Sequence, residues 1–503
     1  MFIRVIGIDR TMERQVAHIV QLFFEDAKVI FTNEQETTLQ LEFIEHISEQ
    51  MIQVKAQLLV VDTDIMTEEF QEASFPSNFN AEEKRKHRRR VIHQTLLLLL
   101  EAYTGMRQPW GILTGIRPTK LAHRKRREGL GAEQAQLQLQ EEYLLTAEKV
   151  ELMQQITERQ LQAAPDLYRL GEEVSIYIGI PFCPTKCAYC TFPAYSIQGQ
   201  QGSVDSFLGG LHYEMQQIGE WLKNRGIAIT TVYFGGGTPT SISAEEMAAL
   251  YGRMFDSFPN VNDIREITVE AGRPDTITPE KLAVLNRFEI DRISINPQSY
   301  HQETLDAIGR HHTVEETIEK FRLAREMGID NINMDLIIGL PGEGLDEFQH
   351  TLRETEKLMP ESLTVHTLSF KRASEMTQNK SKYKVADRDE VVEMMKLAER
   401  WTAQQGYVPY YLYRQKNILG NLENVGYAKP GLESLYNIMI MEEVQTIIGL
   451  GCGASSKFIH PRTGKITRFA NPKEPRAYNL AFEKYTEDKL KLLDEHFESI
   501  YSS

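Results

Sequence analysis

Hydrophobic and polar positions change their period along this chain, and the changes mark its parts. Ile52, Val54, Ala56, Leu58 and Val60 alternate with polar neighbours, the pattern of a half-buried strand. Residues 82–104 then take up a helical period, opening on the basic run Lys84 to Arg90. Together with the glycine- and proline-punctuated loop from Trp110 to Lys120, these stretches place an α+β domain over residues 1–170.

Beyond this point the pattern is repetitive. Short β-branched runs occur at 176–180, 231–234, 266–270, 292–295, 332–338 and 363–370, with helix-length segments at 207–223, 244–255, 314–327 and 345–359. Strands alternating with helices specify a parallel sheet covered by helices, and six units suit a barrel open on one side. Polar residues 371–389 mark the exit from it. A helix near 390–405 begins a last region, followed by the aromatic–basic run Tyr410, Tyr411, Tyr413, Arg414 and the glycine-rich turn Gly449 to Ser456. The expected fold class is α/β: a partial (β/α)6 barrel at 171–389, an N-terminal α+β domain at 1–170 and a C-terminal mixed extension at 390–503.

Composition narrows the function classes. A formal net charge of −15 over 503 residues argues against broad nucleic-acid or anionic-membrane binding. Glu82 and Glu83 precede the basic run, which reads as a solvated helix start. The run Leu96 to Leu100 is far shorter than the roughly 18 apolar residues of a membrane span. The first residues hold no apolar core of signal-peptide length, so a cytoplasmic protein is expected.

Three of the four cysteines lie within eight positions, as Cys183-x3-Cys187-x2-Cys190. Thiolates are the ligands of iron–sulfur clusters, and a cubane has four irons. Three ligands leave one iron open to a substrate or cofactor, the layout of a radical S-adenosylmethionine enzyme. A zinc site needs a fourth ligand, and residues 171–200 hold no histidine and no further cysteine. A redox pair made from Cys187 and Cys190 leaves Cys183 unexplained. Cys452, far along the chain, reads as a buried small hydrophobe.

Parallel barrels gather function at the C-terminal ends of their strands. The cysteines follow the first strand and Gly235-Gly236-Gly237-Thr238-Pro239 the second, where glycines let a ligand approach backbone and offer N–H groups to a carboxylate. Glu270 ends the third strand, Gln298 follows the fourth and Asp335 lies in the fifth, with Arg310 beside the pair His311 and His312.

These residues resemble the oxygen-independent coproporphyrinogen III oxidase group of radical S-adenosylmethionine proteins. The runs Tyr177 to Cys183, Gly235 to Pro239 and Asn333 to Pro341 carry the resemblance, which spans about 173–456. The extra N-terminal region and the Trp110–Lys120 segment are similar to the Bacillus-type branch of that group. The resemblance implies a 4Fe–4S cluster on Cys183, Cys187 and Cys190, and S-adenosylmethionine on Tyr177, Gly236, Gly237, Thr238 and Glu270. A second S-adenosylmethionine would lie on Tyr189, Gln298, Arg310 and Asp335. It further implies oxidative decarboxylation of coproporphyrinogen III to protoporphyrinogen IX by a 5′-deoxyadenosyl radical, fed by a one-electron reductant such as flavodoxin or ferredoxin.

One position departs from the oxidase branch, which carries a further cysteine where this chain has Phe192. Heme-chaperone relatives also carry phenylalanine there, with a His-Asn…Tyr-Trp motif in their C-terminal part. This chain has no tryptophan after Trp401. A substrate with four propionates calls for arginines, and Arg273, Arg372 and Arg414 follow strands or the tyrosine run as candidate clamps.

Overall fold

Main-chain pairing builds two sheets, each within its own unit, Met1–Gln155 and Ile156–Ser503. The structure, a computed structural model, describes residues 1–503 except 33–35, 62, 64, 77, 116, 197–202, 372–373, 380–381, 417 and 503.

The first unit holds a five-stranded sheet of β1 (Phe2–Ile6), β2 (Lys28–Ile30), β3 (Leu39–Ile47), β4 (Met51–Val60) and β5 (Met66–Ser74), in the order β2-β1-β3-β4-β5. Alternation decides which face is buried: Ile52, Val54, Ala56 and Leu58 of β4 are all 0 % exposed. The helices Glu13–Gln21 and Ala81–Thr104 add Val16, Ile19, Leu96 and Leu100 to the same core. Asn80 and Glu83 form a capping box at the second helix. Its basic run is spent locally, with Lys86 on Glu82 and Arg88 gripping Glu45 through two nitrogens at 2.7 Å.

In the second unit β6 (Val174–Ile180), β7 (Ile229–Gly236), β8 (Glu266–Glu270), β9 (Arg292–Ser294), β10 (Ile332–Ile338) and β11 (Ser362–Thr367) run parallel and adjacent in chain order. This is the expected partial barrel. Segment 390–503 does not fold apart from it. β12 (Val408–Tyr413) and β13 (Asn424–Ala428) extend the sheet antiparallel beyond β11. On the other edge β14 (Thr446–Gly451) pairs parallel with β6 and leads into β15 (Ser455–Ile459) and β16 (Ile466–Ala470). An open barrel leaves two rows of unpaired backbone groups, and the C-terminal strands satisfy both.

Register sorts the parallel strands into two chemically different faces. Ile176, Ile178, Val232, Phe234, Val269, Ile293, Met334, Leu336, Leu363 and Val365 are 0 % exposed. Helices cover this side; Val204–Arg225, for example, turns Phe207, Leu211, Met215 and Ile218 inward. The alternate positions are polar and stand in line. Tyr177 lies beside Tyr233, Tyr233 beside Thr268, Glu270 beside Ser294, Ser294 beside Asn333, and Asp335 beside Thr364. This polar inner face carries the candidate chemistry.

Candidate functional site

The helix Leu435–Glu442 closes the N-terminal end of the barrel. Glu266, at the start of β8, accepts hydrogen bonds from Ser434 Oγ (2.8 Å) and the Leu435 N–H (2.7 Å). Tyr436 from that helix stacks on Tyr233 with ring centroids 4.4 Å apart, and Tyr177 stacks against both at 6.2 and 6.3 Å. With this end filled by tyrosines, the polar inner face opens at the C-terminal ends of the strands.

At that mouth the cysteine loop leaves β6. The N–H groups of Gly237 and Thr238 donate to the carbonyls of Ile180 and Phe182, each at 2.7 Å, binding the root of the loop to the end of β7. A Cβ on Gly237 would lie 2.5 Å from Phe182 O, which only glycine avoids. These two N–H groups, read from sequence as donors to a ligand carboxylate, are therefore already engaged by the protein. What the glycine run contributes is close backbone packing. Gly236 N–H is also turned toward the protein, onto Glu270.

Each cysteine meets a donor or a cation. Cys183 Sγ lies 3.4 Å from Thr238 Oγ1, and Cys187 Sγ lies 3.7 Å from Arg273 Nη1. Cys190 feels the ammonium of Lys371, which also stands 5.9 Å from the centroid of the exposed Phe192 ring. Burial pushes the Cys183 thiol up to about 11 and raises that of Cys190. Thiols in that state are poor free nucleophiles and need a bound metal to take up the thiolate charge. Cys452 is 3 % exposed, and its Sγ is held by the carbonyls of Pro472 and Lys473 at 3.3 and 3.2 Å.

Glu270 is the most perturbed acid of the site. Burial pushes its carboxyl up to about 7, and nearby Asp335 adds to this, against a 2.5 Å hydrogen bond from Tyr233 OH. Asp335 goes the other way. Burial alone would raise it, but His366 Nε2 at 3.5 Å, the Asn333 amide at 2.9 Å and the Thr364 hydroxyl hold it below the ordinary value, and the Asn296 amide also donates to it at 2.9 Å. Tyr413 OH completes the chain on His366 Nδ1 at 3.1 Å. Gln298 takes a left-handed φ of 66° and bridges to Leu336, which fixes it over β10. Arg310 donates to Asn296 O (2.5 Å) and Gly272 O (3.1 Å) and faces Tyr189 and Cys187.

The structure thus brings Glu270, Gln298, Asp335, Arg310 and Tyr189 to one mouth with the cysteines, and places Tyr177 deeper, in the tyrosine stack. The propionate clamps fare differently. Arg273 and Arg414 are 2 % and 6 % exposed, the first paired with Asp275 and the second donating to Asn421, because a buried guanidinium must be satisfied inside the protein. Arg372 lies outside the described residues. His311 is exposed, whereas His312 is buried beside Arg310 and Arg273, which with burial bring it down to about 3. His312 is therefore not poised as a proton donor. Sequence reasoning missed Tyr233, Ser294, Asn296, Asn333, Thr364 and His366. The signal was there: polar residues at every second position inside otherwise apolar strands.

Residues 177–355 match the radical SAM superfamily. Over 499 residues, covering 99 % of both chains, the sequence is 62 % identical to the oxygen-independent coproporphyrinogen-III oxidase-like protein HemZ of Bacillus subtilis. The chain belongs to the HemZ family of radical SAM proteins. Heme chaperone HemW of the same organism is 32 % identical over 282 residues, 56 % of this chain and 70 % of HemW. The solved structure of Escherichia coli coproporphyrinogen III oxidase (HemN), described as a radical SAM enzyme, matches the fold with a TM-score of 0.50 at 22 % identity, over 65 % of this chain and 72 % of that one.

Radical SAM proteins use a 4Fe–4S cluster and S-adenosylmethionine. The residues present fit both groups. Three free thiols, that of Cys187 buried and those of Cys183 and Cys190 half-buried, suit three corners of a cubane. Around the mouth, Ser294 Oγ, Gln298 Oε1 and Arg310 Nε are buried without a hydrogen-bond partner, a set that a polar ligand would satisfy. Gly235 keeps the wall open between Tyr233 and Glu270, where a Cβ would sit 2.9 Å from one and 3.1 Å from the other.

Proposed function

We propose that this chain is a radical SAM oxidase that converts coproporphyrinogen III to protoporphyrinogen IX without oxygen, a cytoplasmic step of porphyrin synthesis. The observation that carries the reading is the placement of one buried and two half-buried cysteines, Glu270 and Asp335 at one polar barrel mouth, in a chain alike over its whole length to an oxidase-like relative. Cys183, Cys187 and Cys190 would hold the cluster. Tyr177 and Glu270 would hold one S-adenosylmethionine, lined by the close-packed backbone of Gly236, Gly237 and Thr238 rather than held by their N–H groups, and Tyr189, Gln298, Arg310 and Asp335 would hold a second. Together the bound groups supply hydrogen-atom abstraction once a one-electron carrier of the flavodoxin or ferredoxin class has delivered its electron.

The protein's own part is binding and orientation. Glu270, pushed up to about 7 by burial, is drawn to its ionised form beside a cationic amine and is then its natural partner. Asp335, held below the ordinary carboxyl value by His366, Asn333 and Thr364, presents a fixed acceptor. The tyrosines and the helix Leu435–Glu442 exclude water from the inner end. For each propionate converted, one hydrogen atom and one electron leave, a C–C bond breaks to release carbon dioxide, and a vinyl group remains.

The 32 % identity to heme chaperone HemW favours a second reading, a heme-binding chaperone of the same group, and by the resemblance Phe192 fits that branch. Anaerobic incubation of reconstituted protein with coproporphyrinogen III, S-adenosylmethionine, a reductant and an electron acceptor separates the two. Vinyl formation is expected; tight stoichiometric heme binding without any decarboxylation would select the chaperone.

A further inference from the structure

Arg273 stands three residues past Glu270, at the end of β8. Its Nε and Nη2 lie on the two oxygens of Asp275, each at 3.0 Å, which fixes the plane of the guanidinium. Nη1 is left to point at the cysteine loop, 3.0 Å from Thr185 Oγ1 and 3.7 Å from Cys187 Sγ. The two sides of this cation differ. The Asp275 side chain is 23 % exposed and screened by water, whereas the Arg273 side chain is 3 % exposed and Cys187 is buried. The sulfur therefore meets a positive charge across a dry contact, and Asp275 offsets only part of it.

We propose that Arg273 is an electrostatic positioning residue for the cluster: it stabilises negative charge on the Cys187 sulfur and so raises the cluster's reduction potential. Hydrogen bonds to the sulfurs and the net charge around a cluster are the protein's means of setting that potential. Adding an electron makes the cluster more negative, so a fixed cation stabilises the reduced form more than the oxidised one. The inference rests on the family's cofactor and not on the substrate, so it stands or falls apart from the proposed oxidase activity. The competing role is mechanical, a pin that holds the loop through Thr185.

Full-length parent, Arg273→Gln, Asp275→Asn and Thr185→Val proteins, reconstituted anaerobically, would be assayed for iron and sulfide. They would then be titrated electrochemically while the reduced cluster is followed by electron paramagnetic resonance, with no porphyrinogen present. Arg273→Gln is expected to move the midpoint to more negative potential, about 59 mV for each tenfold change in the one-electron equilibrium. Asp275→Asn, which removes the opposing charge, is expected to move it the other way, and Thr185→Val to leave it in place. If Arg273→Gln assembles no cluster, the sign of the Asp275→Asn shift decides, a positive shift supporting the proposal. Unchanged midpoints in Arg273→Gln and Asp275→Asn proteins with full iron content would overturn it. So would loss of the cluster from all three variants, Thr185→Val included, since that is the signature of a pin.

Discussion

Replacing Lys489 with methionine tests how the barrel holds its cysteine loop from behind. Lys489 and Glu214 form an ion pair whose side chains are 0 % and 1 % exposed, joining the helices Pro475–Tyr501 and Val204–Arg225. The Glu214 carboxylate also accepts from the N–H of Gly451 (2.7 Å), the Asn471 amide (2.9 Å) and Tyr478 OH (2.7 Å). Methionine keeps the length of the stem and removes the charge, leaving a buried carboxylate held by neutral donors. Breaking one side of such a pair costs about 3–5 kcal/mol. For a unit the size of Ile156–Ser503 the unfolding entropy is roughly 0.7 kcal/mol/K, so the melting temperature should fall by about 4–7 °C. The effect should also reach the site. Gly451 packs so closely on β6 that a Cβ would lie 2.4 Å from Gly179 O, and a Cβ on Gly453 would lie 2.8 Å from Pro193, just past the cysteines. Thermal unfolding under nitrogen, with iron analysis of the same samples, is the assay. The double variant Glu214→Gln with Lys489→Met should regain much of the loss, because no charge is then left buried. Parent-like melting of the single variant, or a double variant no better than the single, would refute the reasoning.

Other perturbations follow from the same geometry. Cys183→Ala, Cys187→Ala or Cys190→Ala should abolish cluster assembly, and Cys452→Ala, whose sulfur touches only protein carbonyls in its own fold, should retain full iron by analysis. Gly237→Ala should cost about 1–3 kcal/mol and lower iron retention in a chelator challenge, since its Cβ meets the Phe182 carbonyl. Because the folded-state carboxyl of Glu270 lies above its unfolded value, its contribution to stability is lost as pH rises from about 4.5 toward about 7. Glu270→Gln should therefore melt higher than the parent by more at pH 8 than at pH 5 when no S-adenosylmethionine is present, by up to about 3 kcal/mol. Arg414→Ala should lower the melting temperature and leave porphyrinogen affinity unchanged, the reverse of what a substrate clamp would do.

The barrel was legible because its six strands are β-branched and bounded by clear turns, and the cysteine triad because its spacing has few other uses. The C-terminal region was harder to read. Asn424–Ala428 and Thr446–Gly451 are strands because the barrel's open edges need partners, a demand that arises only in three dimensions. Arginines at strand ends looked like substrate contacts, yet burial spends Arg273 on Asp275 and the cysteine loop, and Arg414 on Asn421. The glycine run marked the right place for a mixed reason: it lets backbones meet, while its N–H groups serve Ile180 and Phe182. His366, and the place of Tyr413 beside it, escaped notice because the Asp335–His366–Tyr413 chain joins three strands separated in sequence.

The central claim, that this barrel mouth performs radical decarboxylation of coproporphyrinogen III, is met most directly by product stoichiometry. In a sealed anaerobic reaction with reconstituted protein, reductant and an electron acceptor, carbon dioxide, vinyl groups and 5′-deoxyadenosine are counted together. The account predicts one carbon dioxide and one 5′-deoxyadenosine for each vinyl group formed, and none of the three from Cys187→Ala protein. Formation of 5′-deoxyadenosine by the parent with no carbon dioxide and no vinyl product would contradict it.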